Sequence, residues 1–283
     1  MPELPQMQAL AERLESALSG TVLARYELLG VSGLKTAEPG PDALVGRALL
    51  GVSRRGKFCV LAFEGGQTVA VHLSQAGRVD LESPPKPTRP RGAVARLVFS
   101  AADGAETAVL VREHGTQRRA GWWVLAPGDD GPMAGLGPDP FDPAFAELVA
   151  AERSNRRLHT WLRDQRVVAG IGRGYADDIA NRAGLSPFAP LRSLDADARA
   201  RLLGAVRSVL AEGLEAERRR SGGLSEPKLG GGFSVHGRAG QPCPNCATPL
   251  LRVSFDAYEV DYCPRCQTKG RALADRRLSR LLR

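Results

Sequence analysis

The sequence predicts an α+β protein with three parts: an N-terminal β-sandwich with a leading helix, a helical domain, and a C-terminal four-cysteine zinc ribbon. Three observations predict this class. Short β-rich runs fill residues 21–125, helical periodicity follows between residues 144 and 218, and two Cys-x-x-C pairs come last. The composition agrees, because 43% apolar and 25% charged residues are ordinary for a globular protein and exclude fibrous or wholly disordered chains.

The N-terminal domain, residues 1–127, is predicted to begin with a helix. Apolar side chains recur at steps of three and four over residues 5–18, which places them on one helix face; they are Met7, Leu10, Leu14 and Leu18. The β-rich runs are separated by Gly, Pro and Asp turns and predict antiparallel strands, among them Thr21–Leu29, Phe58–Phe63, Thr68–Leu73, Val94–Phe99 and Ala108–Arg112. Cys59 lies inside one run and is predicted to be a small buried hydrophobe.

A linker is predicted at residues 128–143, because five prolines and four glycines occur between Pro127 and Pro143. The helical domain follows at residues 144–232 and ends in a glycine-rich loop, Ser221–Gly232. Its predicted helices are Ala144–Ala151, Asn155–Asp164, Gly174–Ala183 and Ser193 to about Arg218. The glycine turn at residues 169–172, together with the helix after it, offers backbone N–H groups to a phosphate.

Four of the five cysteines form two Cys-x-x-C pairs with sixteen residues between them: Cys243, Cys246, Cys263 and Cys266. Each pair can aim two sulfurs at one ion and the spacer can form a β-hairpin, so residues 233–270 are predicted to hold one structural Zn²⁺. A closed four-thiolate site has no open position for a substrate, so the zinc would stabilise the hairpin and take no part in chemistry. Two disulfides are the alternative, which a cytosolic chain disfavours.

The charge balance favours a nucleic-acid partner. Thirty-nine basic residues against 31 acidic ones give a net charge of +8, and nearly all the basic residues are arginine, whose planar fork suits phosphate. Genomic base composition can produce the same excess of arginine. Residues 271–283 are predicted to be a basic helical tail. Because the sequence shows neither an 18-residue apolar run nor a signal-peptide pattern, it predicts a cytoplasmic protein without a membrane partner.

The sequence opens Met1-Pro2-Glu3. Removal of Met1 would leave Pro2 with a free secondary amine, and a chain α-amine has a pKa near about 8. Part of such an amine is unprotonated at neutral pH and can attack a sugar carbon to form a Schiff base, with Glu3 as the proton shuttle. Many proteins begin Met-Pro without this chemistry, so the start of the chain does not by itself predict that Pro2 is a nucleophile.

Further motifs occur along the chain in a fixed order: Pro2-Glu3-Leu4-Pro5, Arg54-Arg55-Gly56-Lys57, His72-Leu73 with Gly77-Arg78, Asp164-Gln165, Ala169-Gly170-Ile171-Gly172, Tyr175-Ala176-Asp177, and Gly237-Arg238 ahead of Cys243. Over residues 2–267 this combination resembles the formamidopyrimidine-DNA glycosylase/endonuclease VIII family. The resemblance implies a helix-two-turn-helix over residues 153–183 and a zinc-finger hairpin over Cys243–Cys266.

The resemblance to this family also implies a bifunctional DNA glycosylase/AP lyase of base excision repair. Such an enzyme flips a damaged base out of duplex DNA and cleaves the strand by β/δ-elimination. Pro2 would be the nucleophile, Glu3 the acid/base and Lys57 a contact to the phosphate beside the lesion. The expected partner is damaged double-stranded DNA, bound by a monomer in the bacterial cytoplasm and nucleoid. The expected DNA contacts are His72, Gln75, Arg118, Arg173 and Tyr258.

Six positions depart from the family pattern: Gln6, Gln75, Ala120, His159, Arg173 and Tyr258. The pattern has a carboxylate, a methionine, a phenylalanine, a lysine, an asparagine and an arginine there, in that order. Gln75, Arg118 and Ala120 match the three positions that, in the family, form the wedge that fills the hole left by the flipped base.

Two accounts of the departures stay open. In the first, Arg173 supplies the cation lost at Tyr258, Tyr258 or Trp122 stacks where phenylalanine is missing, and catalysis is retained. In the second, the lost contacts leave a weakened or non-catalytic DNA-binding relative, or one that acts on single-stranded or distorted DNA. The presence of Pro2, Glu3 and Lys57 favours the first.

Overall fold

The computed structural model describes residues 1–115, 117–220, 232–255 and 258–274. These residues form two compact units, the first with residues 1–135 and 217–220 and the second with the remainder. The division falls between Gly135 and Leu136, within the stretch predicted as a linker, and the finer domain limits stay a prediction. The predicted loop Ser221–Gly232, except its last residue, and the predicted tail from residue 275 onward lie outside the described residues.

The first unit is a β-sandwich with a leading helix, α1 (Leu4–Leu18). One antiparallel sheet has the order β1-β6-β7-β5 and the other β2-β3-β4-β8. The strands are β1 (Val22–Leu28), β2 (Leu49–Arg55), β3 (Phe58–Phe63), β4 (Thr68–His72), β5 (Gly77–Glu82), β6 (Ala93–Ser100), β7 (Glu106–Glu113) and β8 (Gly121–Leu125). Short 3-10 helices occur at Val31–Gly33, Pro41–Leu44 and Gly131–Met133.

Both sheets and α1 contribute to one hydrophobic core. The predicted apolar face of α1 is buried there, as are Phe63 of one sheet and Phe99 of the other, whose rings stack with centroids 6.3 Å apart. Cys59 is 1% exposed, and burial raises the pKa of its thiol to about 12. The predictions of a helix face, of two layers and of Cys59 as a small buried hydrophobe are therefore confirmed.

The second unit contains α2 (Pro143–Ala151), α3 (Leu158–Arg163), α4 (Arg173–Arg182), a 3-10 turn (Leu191–Ser193) and most of α5 (Ala196–Arg218). A hairpin of β9 (Leu251–Ser254) and β10 (Glu259–Tyr262) follows, and then α6 (Pro264–Thr268). The prediction that α3 begins at Asn155 is wrong by three residues. Arg157 is extended, and the N–H groups of Leu158 and His159 donate to the carbonyls of Ala189 and Pro187.

Among the described residues, none of the helices combines the length and the apolar character that crossing a membrane requires.

Candidate active site and zinc centre

A capping box fixes Glu3 at the start of α1. The Glu3 carboxylate accepts the backbone N–H of Gln6, and Oε1 of Gln6 accepts the backbone N–H of Glu3 at 3.0 Å. Pro2, Glu3 and Gln6 are all buried. This reciprocal pair satisfies two backbone N–H groups at the start of α1 and holds the Glu3 side chain there, with Pro2 as the residue directly before it.

Gln6 also connects this group to Glu217. Its Nε2 donates to Oε1 of Glu217 at 3.0 Å, and Nη1 of Arg220 lies 3.4 Å from the second oxygen of that carboxylate. Glutamine suits the position because its amide accepts with one atom and donates with the other, whereas a carboxylate only accepts. The departure at Gln6 therefore has a structural reason, which is the carboxylate of Glu217.

We expect Gln6→Glu to lower the free energy of unfolding at neutral pH by about 1–3 kcal/mol, the cost of leaving a buried polar group without its hydrogen bond. The new carboxylate would face the buried Glu217 carboxylate in place of an amide donor. Thermal unfolding followed by circular dichroism measures the effect. Adding Glu217→Gln to this variant returns a donor and should restore most of the stability. An equally unstable double variant would contradict this pairing.

Lys57 lies in the turn between β2 and β3. Gly56 before it has a φ of +57°, a left-handed conformation that glycine adopts without a Cβ clash. The rings of Phe58 and His72 are paired across β3 and β4 with centroids 4.8 Å apart. Burial, and secondarily the charge of Lys57, lowers the pKa of His72 to about 4. At neutral pH the His72 ring is therefore neutral and can donate a hydrogen bond through its N–H group.

The positions of the predicted wedge lie on loops after β4 and β7. The loops meet where the N–H of His114 donates to the carbonyl of Ala76 at 3.0 Å. Gln75 and Arg118 are exposed, whereas Ala120 is 2% exposed. The Glu113 carboxylate fastens the Arg118 loop by accepting the N–H groups of the next two residues at 2.9 and 3.0 Å.

Arg118 also lines a groove of about 1220 Å³ that Arg89 and Arg91 share. Both of these arginines are exposed as well. Trp122 is 1% exposed and packs in the sandwich core. The idea that Trp122 stacks where phenylalanine is missing is therefore wrong.

Arg173 is the first residue of α4, directly after the glycine turn. Gln165 organises this turn: its Nε2 donates to the carbonyls of Arg163 and Ile171 at 2.8 and 2.7 Å, and its Oε1 accepts the N–H of Gly170 at 2.9 Å. Gly170 has a φ of +109°, which favours glycine. The Asp164-Gln165 motif and the glycine turn are thus one structural unit, and it sets where Arg173 begins its helix.

Tyr258 lies just before β10, within a group of aromatic rings. Phe255 is nearly parallel to it with centroids 4.6 Å apart, and the His159 ring is nearly parallel at 6.2 Å. Cζ of Arg163 lies 4.3 Å from the Tyr258 ring centroid. The sequence did not predict this contact of Arg163. The only indication in the sequence was that Arg163 directly precedes the Asp164-Gln165 motif.

His159 is 1% exposed, so it is an internal residue. Its Nε2 lies 3.2 Å from Oδ1 of Asp177, and Oδ2 of Asp177 lies 2.7 Å from Nδ1 of His236. Asp261 is close to this group, and its carboxylate accepts hydrogen bonds from Arg252 and from the N–H of Gly237. Asp177, His236 and Asp261 thus belong to a hydrogen-bond network. His159, at the position where the family pattern has lysine, lies against Asp177, but neither its Nε2 nor Oδ1 of Asp177 has a hydrogen-bond partner among the described residues.

The four predicted zinc ligands lie together at the base of the hairpin. All four Sγ atoms are within 4.8 Å of one another, and those of Cys246 and Cys263 are 3.5 Å apart. A tetrahedral ion with Zn–S distances of about 2.3 Å fits this spacing. Sγ of Cys243 also accepts the Asn181 amide at 3.8 Å, and Sγ of Cys263 accepts the N–H of Cys266 at 3.4 Å. Such contacts orient thiolate ligands.

Three family models match in chain order: the formamidopyrimidine-DNA glycosylase N-terminal domain at residues 1–119, the formamidopyrimidine-DNA glycosylase H2TH domain at residues 136–223, and the zinc finger found in FPG and IleRS at residues 240–269. A formamidopyrimidine-DNA glycosylase of Moorella thermoacetica is 35% identical over 269 residues, or 89% of this chain and 94% of the relative. The chain belongs to the formamidopyrimidine-DNA glycosylase family.

Two further relatives agree with this assignment. The crystal structure of the MutM (Fpg) protein of Thermus thermophilus superposes with a TM-score of 0.76 at 32% identity, over 94% of this chain and 98% of that one. An uncharacterized formamidopyrimidine-DNA glycosylase-like protein of Mycobacterium tuberculosis is 42% identical over 153 residues, or 52% of this chain and 94% of the relative. The predicted family, fold class, DNA glycosylase class and structural zinc are confirmed. The roles of the individual site residues stay predictions.

Proposed function

We propose that this chain is a bifunctional DNA glycosylase/AP lyase of base excision repair, with the amine of Pro2 as its nucleophile after removal of Met1. The observation that carries the proposal is the capping box, which holds the buried carboxylate of Glu3 directly after the buried Pro2. A nucleophile and a proton-transfer group held side by side are the minimum that an imine mechanism requires.

In the proposed reaction the lone pair of the Pro2 nitrogen attacks C1′ of the damaged nucleotide and the bond from C1′ to the base breaks. The base leaves with that electron pair and takes up a proton, which is balanced by the N–H proton that Pro2 gives up. The sugar ring opens, with Glu3 transferring the proton, to give an iminium ion. Loss of a C2′ proton then expels the 3′ phosphate (β-elimination), and a second elimination expels the 5′ phosphate. Water releases the sugar fragment from Pro2.

The other proposed contacts follow from the charges of the site. Lys57 pairs with the phosphate beside the lesion, and His72, neutral at physiological pH, donates a hydrogen bond. Arg118 enters the space of the flipped base, with Gln75 on the adjoining loop, and Arg173 and Tyr258 belong to the part that binds the DNA backbone. The proposed substrate is damaged double-stranded DNA, bound by a monomer in the bacterial cytoplasm.

Borohydride trapping on a duplex with one abasic site tests the proposal, after mass spectrometry has established the loss of Met1. We expect one covalent adduct, which peptide mapping assigns to Pro2 and which Pro2→Gly shifts or strongly reduces. A matched control carries a short N-terminal extension, because a proline nitrogen within a peptide bond is not a nucleophile. An adduct that maps elsewhere, or equal trapping by the extended protein, would overturn the mechanism.

Ala120 favours a second candidate function. Its methyl group is buried and leaves the wedge without a ring to stack in duplex DNA. A chain of this kind would be a catalytically weakened or non-catalytic DNA-binding relative, or would act on single-stranded or distorted DNA, where little unstacking energy is needed. Processed protein that binds the duplex but yields no adduct would support this candidate.

A further inference from the structure

The guanidinium of Arg163 lies at the end of α3 against the ring of Tyr258, with 4.3 Å between Cζ and the ring centroid. Phe255 and His159 are nearly parallel to the same ring. Contact with an aromatic ring attracts the cation and leaves the N–H groups at the edge of its plane available for hydrogen bonds. The stack therefore orients a cation without satisfying its donors.

Within the described part of the chain, Arg163 is short of acceptors. Its Nη1 is buried and has no hydrogen-bond partner there. The adjacent carboxylate, Asp164, is already shared by Arg156 and Arg166. Arginine stays protonated in proteins, and buried donors almost always have an acceptor. Nη1 itself is closed to solvent, but Arg163 as a whole is half-buried, so its other N–H groups can reach an acceptor that comes from a ligand.

We propose that Arg163 binds a phosphate of the DNA substrate and that Tyr258 is the positioning residue that holds its guanidinium. The inference rests on the proposed function, because it requires DNA as the ligand. A phosphate has acceptors only, and its oxygens match the planar fork of arginine. Arg163 thereby supplies the cation that is missing at Tyr258, a role that Arg173 has in the first of the two accounts of the departures.

The test is the salt dependence of DNA affinity, measured by fluorescence anisotropy. The probe is a duplex with one tetrahydrofuran abasic analogue, which an imine cannot cleave. Arg163→Met keeps an unbranched apolar stem and removes the charge and the N–H groups. We expect binding to weaken about 10–100-fold, as for loss of a charge-assisted hydrogen bond, and the slope of log K against log salt to become shallower by about 0.9, the value for one phosphate.

Arg182→Met is the matched control, because the Arg182 guanidinium pairs with Glu212 at 2.8 Å. We expect it to keep the wild-type slope. Tyr258→Leu removes the ring that holds the guanidinium and should behave as Arg163→Met. Adding Tyr258→Leu to Arg163→Met should produce no further change in slope.

A wild-type slope for Arg163→Met would overturn the proposal even if its affinity or its thermal stability fell, since that result assigns Arg163 to packing alone. Wild-type behaviour of Tyr258→Leu would overturn the positioning role. Borohydride trapping separates this inference from the proposed function. If the wild type forms no adduct, the imine mechanism fails, whereas an adduct together with an unchanged slope refutes only the role of Arg163.

Discussion

Glu3→Gln should lower the single-turnover rate of base excision by about 10²–10⁴-fold, the usual contribution of a positioned general acid or base. The substitution keeps the shape of the side chain, and an amide oxygen can still accept the N–H of Gln6 in the capping box. The loss would therefore come from proton transfer and not from the fold. A duplex with one formamidopyrimidine lesion, the class in the family's name, is the substrate.

The reaction rate of the Glu3→Gln variant should fall less on a preformed abasic site, because no base has to leave there. Borohydride trapping on such a site is the companion measurement. Glu12→Gln is the matched control: Glu12 lies on the same helix and pairs with Arg218 at 2.7 Å, so its loss should leave both rates unchanged. A Glu3→Gln enzyme that excises the lesion at the wild-type rate would remove Glu3 from the mechanism.

The features that the sequence predicted are those encoded locally. The apolar face of α1 follows from a spacing of three and four residues, and the zinc site follows from two pairs of cysteines. The Pro2-Glu3 start and the Asp164-Gln165 motif each act within a few residues. In each of these cases the sequence pattern and the structure that it specifies lie within the same short stretch of the chain, so the pattern alone is enough to predict the structure.

The features that the sequence did not predict depend on partners far apart in the chain. Gln6 hydrogen-bonds to Glu217, 211 residues away, and His159 pairs with Asp177 through a contact across two helices. The start of α3 depends on carbonyls near residue 189. A single sequence contains no signal for such pairings, because either residue alone is an ordinary polar side chain.

These pairings bear on the departures from the family pattern. Gln6 and Tyr258 each have a partner in this chain, namely Glu217 and Arg163. Nε2 of the buried His159 lies 3.2 Å from Oδ1 of Asp177 but makes no hydrogen bond among the described residues. Random loss of contacts would leave polar groups without partners, and buried ones would be costly. The fitted partners of Gln6 and Tyr258 are what altered contacts in a working site would produce, and these two departures favour retained catalysis. For Ala120, which is buried, and for Gln75, which is exposed, the described residues supply no such partner.

Removal of the zinc ion should unfold the hairpin of β9 and β10 and leave the sandwich intact. The two strands have four residues each, and a two-stranded hairpin is marginal by itself. The small core beside them consists of Val235, Leu250 and the cysteine ligands themselves. Structural zinc contributes an apparent binding free energy of about 10–16 kcal/mol in small zinc-finger peptides, which far exceeds what this core can supply.

Hydrogen exchange read by mass spectrometry measures the effect segment by segment. After chelation, the amides of β9 and β10 should lose protection while those of α1 and the two sheets keep theirs, since the first unit has its own core. Cys246→Ser should lose bound zinc and show the same pattern, whereas Cys59→Ala should retain one zinc per chain, because Cys59 is buried in the sandwich. Full protection of β10 after complete zinc removal would show that the hairpin is stabilised by its packing and not by the metal.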